Sequence, residues 1–93
     1  MELSAEEVAT KLSDARKAKS EGDIDTALNL ATDVIKSDPS NVEANWLAAW
    51  ILASKNDTAL AIGQFERVLK LGLDAKRADQ ARAAVNRLKA REE

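Results

Sequence analysis

Two stretches decide the fold: GDIDTALNLATDVIK (Gly22–Lys36) and NDTALAIGQFERVLK (Asn56–Lys70). Both contain Asp-Thr-Ala-Leu, at Asp25–Leu28 and Asp57–Leu60, 32 residues apart. In that register Asp33 falls on Phe65, Val34 on Glu66 and Ile35 on Arg67, so one copy would bury charge where the other buries hydrocarbon. A shift of 34 residues instead pairs Gly22 with Asn56, Asp23 with Asp57, Ala27 with Ala61, Leu28 with Ile62, Val34 with Val68, Ile35 with Leu69 and Lys36 with Lys70. Carried outward, it pairs Val8 with Val42, Leu12 with Trp46, Ala15 with Ala49, Ala18 with Leu52 and Ser40 with Asp74. Capping positions meet capping positions and apolar positions meet apolar ones. The period is therefore 34, and the shared tetrapeptide is a coincidence of composition.

Each repeat reads as helix, turn, helix. Gly and Pro are scarce while Ala, Leu, Lys and Glu abound, which favours helix throughout. Apolar residues recur at three- and four-residue spacing, as in Leu28, Ala31, Val34 and Ile35 or Ile62, Phe65, Val68 and Leu69. Ser4–Glu7 and Ser40–Glu43 fit the capping box, and Asp23, Asp57 and Asp74 are further N-cap candidates. Gly22, Asn56 and Gly72 tolerate the left-handed backbone that ends helices, and Pro39 forbids continuation after Asp38. These signals predict an all-α chain of five helices, at 5–20, 24–37, 41–54, 58–71 and 75–91. Short connections make consecutive helices antiparallel neighbours. One domain, 1–93, then holds a first hairpin at 5–39, a second at 40–73 and a closing segment at 74–93.

With a 34-residue helical hairpin as its unit, the chain resembles the tetratricopeptide repeat family over roughly residues 8–75. Ala15 and Ala27 supply the small residues at the helix crossing of the first unit, followed by Ala31, Val34 and Pro39. Ala49 and Ala61 supply it in the second, followed by Phe65 and Val68. Alanine there lets helix axes approach closely. The sequence departs from the family pattern at Lys11 and Asn45, which stand where a tryptophan is expected, at Ala31 in place of an aromatic and at Leu73 in place of a proline. The resemblance implies two hairpins in a right-handed superhelical stack, with the fifth helix as a terminal cap whose Ala78, Ala81, Val85 and Leu88 form one apolar stripe.

The composition narrows the function. With no His and no Cys, the usual nucleophile and base pairings lack a base, and there is neither a Gly-rich phosphate loop nor a thiol framework for metal. Asp23 and Asp25 in GDID suggest half of a calcium loop, but the central Gly and terminal Glu are missing, and a helix cap explains Asp23. The reading is a protein that is not an enzyme and needs no cofactor. An acidic, amphipathic start without a secretory apolar run, and no apolar stretch of about 20 residues, make a cytoplasmic protein away from the membrane the expectation. Residues 1–47 carry five Lys/Arg against ten Asp/Glu, and residues 48–93 nine against six. That asymmetry would suit either solvated faces or head-to-tail association into a homodimer or larger assembly. Arg77, Arg87 and Arg91 on one face of the last helix, with Arg82 and Lys89 on another, could contact phosphates, but the acidic pI ranks nucleic acid a distant third.

The resemblance implies a binding module whose first helices line a concave groove for a peptide or helix of a partner protein. Trp46 and Trp50, one helical turn apart, fall on groove positions in the 34-residue register. The equivalent positions of the first unit are Leu12 and Arg16, with Lys19 a turn further on, and the fifth helix offers Arg77, Gln80 and Arg87. An aromatic floor with basic walls would take an apolar anchor beside acidic residues. The alternative stands beside it: both indoles belong to the core, as aromatics at helical spacing commonly do. Some family members grip the C-terminal carboxylate of a large heat-shock chaperone with Lys, Asn and Arg. Those places fall here on Leu12, Arg16, Leu47, Arg77 and Ala81, of which only Arg77 is compatible, so such tails are not expected to bind.

Overall fold

The computed structural model describes residues 2–92 and consists of five α-helices: α1 (Ala5–Ser20), α2 (Ile24–Ser37), α3 (Val42–Ser54), α4 (Thr58–Leu71) and α5 (Ala75–Glu92). Local chemistry sets the starts. At Ser4 the capping box is complete: Ser4 Oγ accepts from the Glu7 amide at 3.1 Å and Glu7 Oε1 accepts from the Ser4 amide at 3.0 Å. That backbone hydrogen bond, with the serine hydroxyl second, holds the Glu7 carboxyl below its usual pKa. Asp23 caps α2 by accepting from the Thr26 amide. Asp57 occupies the N-cap of α4 without a side-chain hydrogen bond. The second expected capping box does not form. Ser40 is held in the turn after Pro39, its amide donating to Asp38 Oδ1, and Asn41 takes the cap by accepting from the Ala44 amide at 2.9 Å. Helix α3 therefore starts one residue later than predicted.

All three of the three-residue connections turn on a positive φ at the expected places, 84° at Gly22, 63° at Asn56 and 105° at Gly72. Packing follows chain order: α1 on α2, α2 on α3, α3 on α4 and α4 on α5, while α1 also approaches α3. This is a helical-repeat stack. Ala15, Ala27, Ala49 and Ala61, the four crossing alanines, are fully buried. Helix α3 is the hub and is apolar around most of its circumference, as a helix covered on several sides must be. Its Leu47, Ala48 and Ile51 pack with Ala15, Ala18, Ala27 and Ala31 of the first hairpin, while Ala49 joins Ala61, Ile62 and Phe65 under α5. Leu12, Val34 and Ala44 form a third cluster at the other end of the first hairpin.

The fifth helix covers the second hairpin through Ala81, Ala84, Val85 and Leu88 around Phe65, with Leu69 and Leu73 at the margin. Val68 is fully buried but lies outside that cluster. The position of Asn45 is where the repeat departs most from hydrocarbon. Its side chain is completely buried and donates to the carbonyls of Asn41 at 2.7 Å and Pro39 at 3.0 Å, while its Oδ1 accepts from Gln64 Nε2. Arg67 donates to the same Pro39 carbonyl at 2.9 Å. A buried amide with every group satisfied thus ties the α2–α3 turn to α4. Among the described residues no helix is long and apolar enough to cross a membrane.

Candidate functional site

The residues singled out in the sequence separate into those that share one face and those that do not. Trp46 and Trp50 project from α3 with ring centroids 5.6 Å apart in an edge-to-face contact, and both stand edge-to-face on Phe65, at 6.2 and 4.9 Å. Such geometry matches the positive ring edge to the negative ring face. Phe65 is fully buried, whereas both indoles are half-buried. Each indole therefore rests one side on the core and leaves the other to solvent.

Two clefts open beside them. Between α1 and α3 a depression of about 340 Å³ is lined by Arg16, Lys19, Ser20, Glu43, Trp46 and Leu47. Between α3 and α5 a smaller one of about 200 Å³ is lined by Trp50, Ala53, Ala84, Arg87, Leu88 and Arg91. Arg16, Lys19, Trp46 and Trp50 are thus brought onto one face, as the register requires. Leu12 is not: it is 6% exposed and packs with Val34 of α2 and Ala44 of α3, where its whole side chain is taken out of water. Gln80 is exposed and lines neither cleft.

Arg77 is on the face but is not a free basic wall. Its guanidinium lies 5.8 Å from the Trp46 ring centroid, donates to Glu43 Oε1 at 2.8 Å and also pairs with Asp74. Hydrogen bonds to Asp74 and then Glu43 raise its pKa, and the same contact lowers that of Asp74. The Arg77 charge is neutralised within the chain and serves to fix the Trp46 ring. Glu43 and Arg77 are 34 residues apart, so the register that located the tryptophans also contained this pair. The contributions of Ala53, Ala84, Leu88 and Arg91 carried no such signal, since they depend on how far apart α3 and α5 are held.

A family model described as tetratricopeptide repeat matches residues 12–72. No curated protein and no solved structure matches. The match spans both hairpins from the Leu12 turn of α1 to the end of α4, with the paired helices, the buried crossing alanines and the 34-residue register in place. The chain belongs to the tetratricopeptide repeat family, a family of protein–protein interaction modules.

Proposed function

We propose that this protein is a non-enzymatic interaction module that receives a peptide or helix of a partner protein on the face shared by α1, α3 and α5. The observation that carries this reading is the pair of half-buried indoles, supported from beneath by Phe65 and flanked by clefts on both sides. Aromatic side chains presented in this way are the usual anchors of interfaces, because they bury much area for little lost rotamer entropy. The partner chemistry that fits is an apolar side chain beside acidic residues. Arg16 and Lys19 at one cleft and Arg87 at the other have no carboxylate partner among the described residues.

Two competing readings draw less support. The acidic and basic halves are joined inside the chain by Asp25–Lys55 at 2.8 Å and Glu43–Arg77 at 2.8 Å, which consumes charge that head-to-tail self-association would use. On α5, Arg82 pairs with Asp79 and Lys89 with Glu66, so two of the cations that nucleic acid would contact already have partners. The test is selection from a displayed peptide library, followed by titration of the enriched peptides against Trp46→Ala and Arg16→Glu. Enriched peptides should carry an apolar residue next to Asp or Glu and should bind the variants at least tenfold more weakly, while Arg16→Glu melts near the parent and Trp46→Ala, which also loses its packing on Phe65, melts lower but still folds. Peptides that bind the variants as well as the parent would dismiss the face as the site.

A further inference from the structure

Six basic residues lie on α5, and their pairing is uneven. Arg77, Arg82 and Lys89 each have a carboxylate partner, at Glu43 and Asp74, Asp79 and Glu66 respectively. Arg87 has none among the described residues, and Arg91 donates to Asn56 Oδ1 at 3.0 Å, a neutral amide that leaves the positive charge uncompensated. These two residues, one helical turn apart, rim the α3–α5 cleft, whose floor is the Trp50 indole with Ala53, Ala84 and Leu88. Hydrocarbon below and unspent guanidinium charge above therefore coincide at one place.

Resting on the interaction-module reading, we infer that the α3–α5 cleft is a specificity pocket. It takes a single apolar side chain of a partner peptide while Arg87 and Arg91 receive the carboxylate of a neighbouring Asp or Glu side chain. The volume decides the size of the occupant: about 200 Å³ falls below the roughly 300–1,000 Å³ of pockets that engulf small-molecule ligands, and suits one side chain. Charge complementarity decides the neighbour. A guanidinium donates to a carboxylate in a forked geometry that no lysine reproduces, and two such groups one turn apart on a helix can share or divide one acidic residue. Among the described residues no carboxylate lines the cleft, and Glu43 and Asp74 are held by Arg77 beside the other indole. Those same carboxylates, next to Trp46, disfavour a polyphosphate strand laid across both tryptophans.

The two indole N–H groups give separate nuclear magnetic resonance signals, assignable by replacing either tryptophan with phenylalanine. The probe is a peptide acetylated and amidated at its ends, in which one leucine is flanked on both sides by glutamates, titrated into the full chain. Saturable movement of the Trp50 signal is expected, weakening on the order of tenfold in Arg87→Gln/Arg91→Gln, and equally when the glutamates are replaced by glutamines or the leucine by glycine. Movement of Trp46 alone, with dependence on Arg16 and Lys19 and none on Arg87 or Arg91, would overturn the pocket and leave the shared face as the binding site. A Trp50 response that survives both arginine replacements, no response of either indole, or a single-stranded oligonucleotide that moves Trp50 at lower concentration than the peptide, would also overturn it. In those cases the peptide-library selection judges the wider reading independently.

Discussion

The α2–α3 and α4–α5 interfaces occupy the same place in the 34-residue register and fill it with opposite volumes. In the first, Ala31 of α2 shares a cluster with Leu47 and Ile51 of α3; in the second, Phe65 of α4 shares one with Ala81 and Val85 of α5. Residues 31 and 65 are equivalent, as are 47 and 81, so small faces large in one and large faces small in the other. What the repeat conserves from unit to unit is filled space, and the residue at each position is free to vary around it. The exchange has a consequence for the site. Helices α1 and α3 approach within 8 Å at Cα positions, whereas among the described residues α3 and α5 do not. With a phenylalanine at the second interface, α5 stands off from α3, and the gap is where the tryptophans lie.

The harshest way to break this comparison is to remove α5. A fragment ending at residue 73 would strip Phe65 and Ile62 of the Ala81, Ala84, Val85 and Leu88 side chains that share their cluster. Val85 and Leu88 alone bury about 1.5–3 kcal/mol each, against a total of about 5–15 kcal/mol for a domain. Early melting or aggregation is expected by circular dichroism. Removal of the equivalent apolar cover from the first interface is impossible without removing α3, which is why the second can be tested alone. A fragment melting with the full chain would show that α5 is an appendage.

Volume exchange can then be tested residue by residue. Phe65→Ala should cost about 3–5 kcal/mol, and Ala81→Leu by itself about 1–3 kcal/mol through overpacking. Combined, they copy the first interface into the second, and the double variant should be more stable than the sum of the two changes implies, by about 0.5–3 kcal/mol of coupling. Strict additivity in urea denaturation would mean that Ala31 with Leu47 and Phe65 with Ala81 are unrelated solutions.

A smaller effect separates the polar contacts of the two hairpins. Lys11 and Asn45 are equivalent, yet Lys11 makes an exposed ion pair with Asp33 at 3.2 Å while Asn45 is fully buried. Asn45→Ala takes the Gln64 amide's partner away, removes one of two donors from each of the Pro39 and Asn41 carbonyls and leaves a void at a fully buried position, and should cost about 1–3 kcal/mol. Lys11→Ala should leave the melting temperature within experimental scatter, because exposed pairs contribute little. Equal losses would mean that the two hairpins are closed by polar contacts of the same kind.

The comparison also shows what a linear sequence holds and what it does not. Period, caps and the apolar stripe of α5 are local or strictly periodic, so Ser4, Gly22, Asn56 and Val85 could be read directly. Ser40 misled because its capping-box spacing is local, while the Pro39 turn that claims its amide is set by Asp38. The half-burial of Trp46 and Trp50 depends on the standoff of α5, a sum over several side chains that no single position encodes. Asn45 looked like a missing tryptophan and is a buried anchor, because its partners come from a turn and from α4.

The gentlest probe is acid. Asp25, near the start of α2, accepts from Lys55 Nζ at 2.8 Å just past the end of α3, so this pair ties the first hairpin to the second. The corresponding tie of the later interface, Lys89–Glu66, is longer at 3.6 Å. The hydrogen bond from Lys55, and then its charge, lower the Asp25 pKa, and the same contact raises that of Lys55. A carboxyl whose folded pKa is depressed adds stability above its unfolded pKa, about 3.9, and that contribution disappears as pH falls through the lower folded value. Lys55 has the opposite sign: its share is present below about pH 10 and is lost as pH rises through the raised folded pKa. Both groups are exposed, so the effect is small and salt weakens it. Melting curves of the parent and Asp25→Asn should differ slightly at neutral pH in dilute buffer and converge as pH falls through the depressed Asp25 pKa, with Asp74 and Glu7 still giving the variant an acid slope of its own. If the two profiles stay parallel down to the lowest pH at which both fold, the Asp25–Lys55 contact contributes nothing, and the first interface is held without it by a cluster of alanines with Leu47 and Ile51.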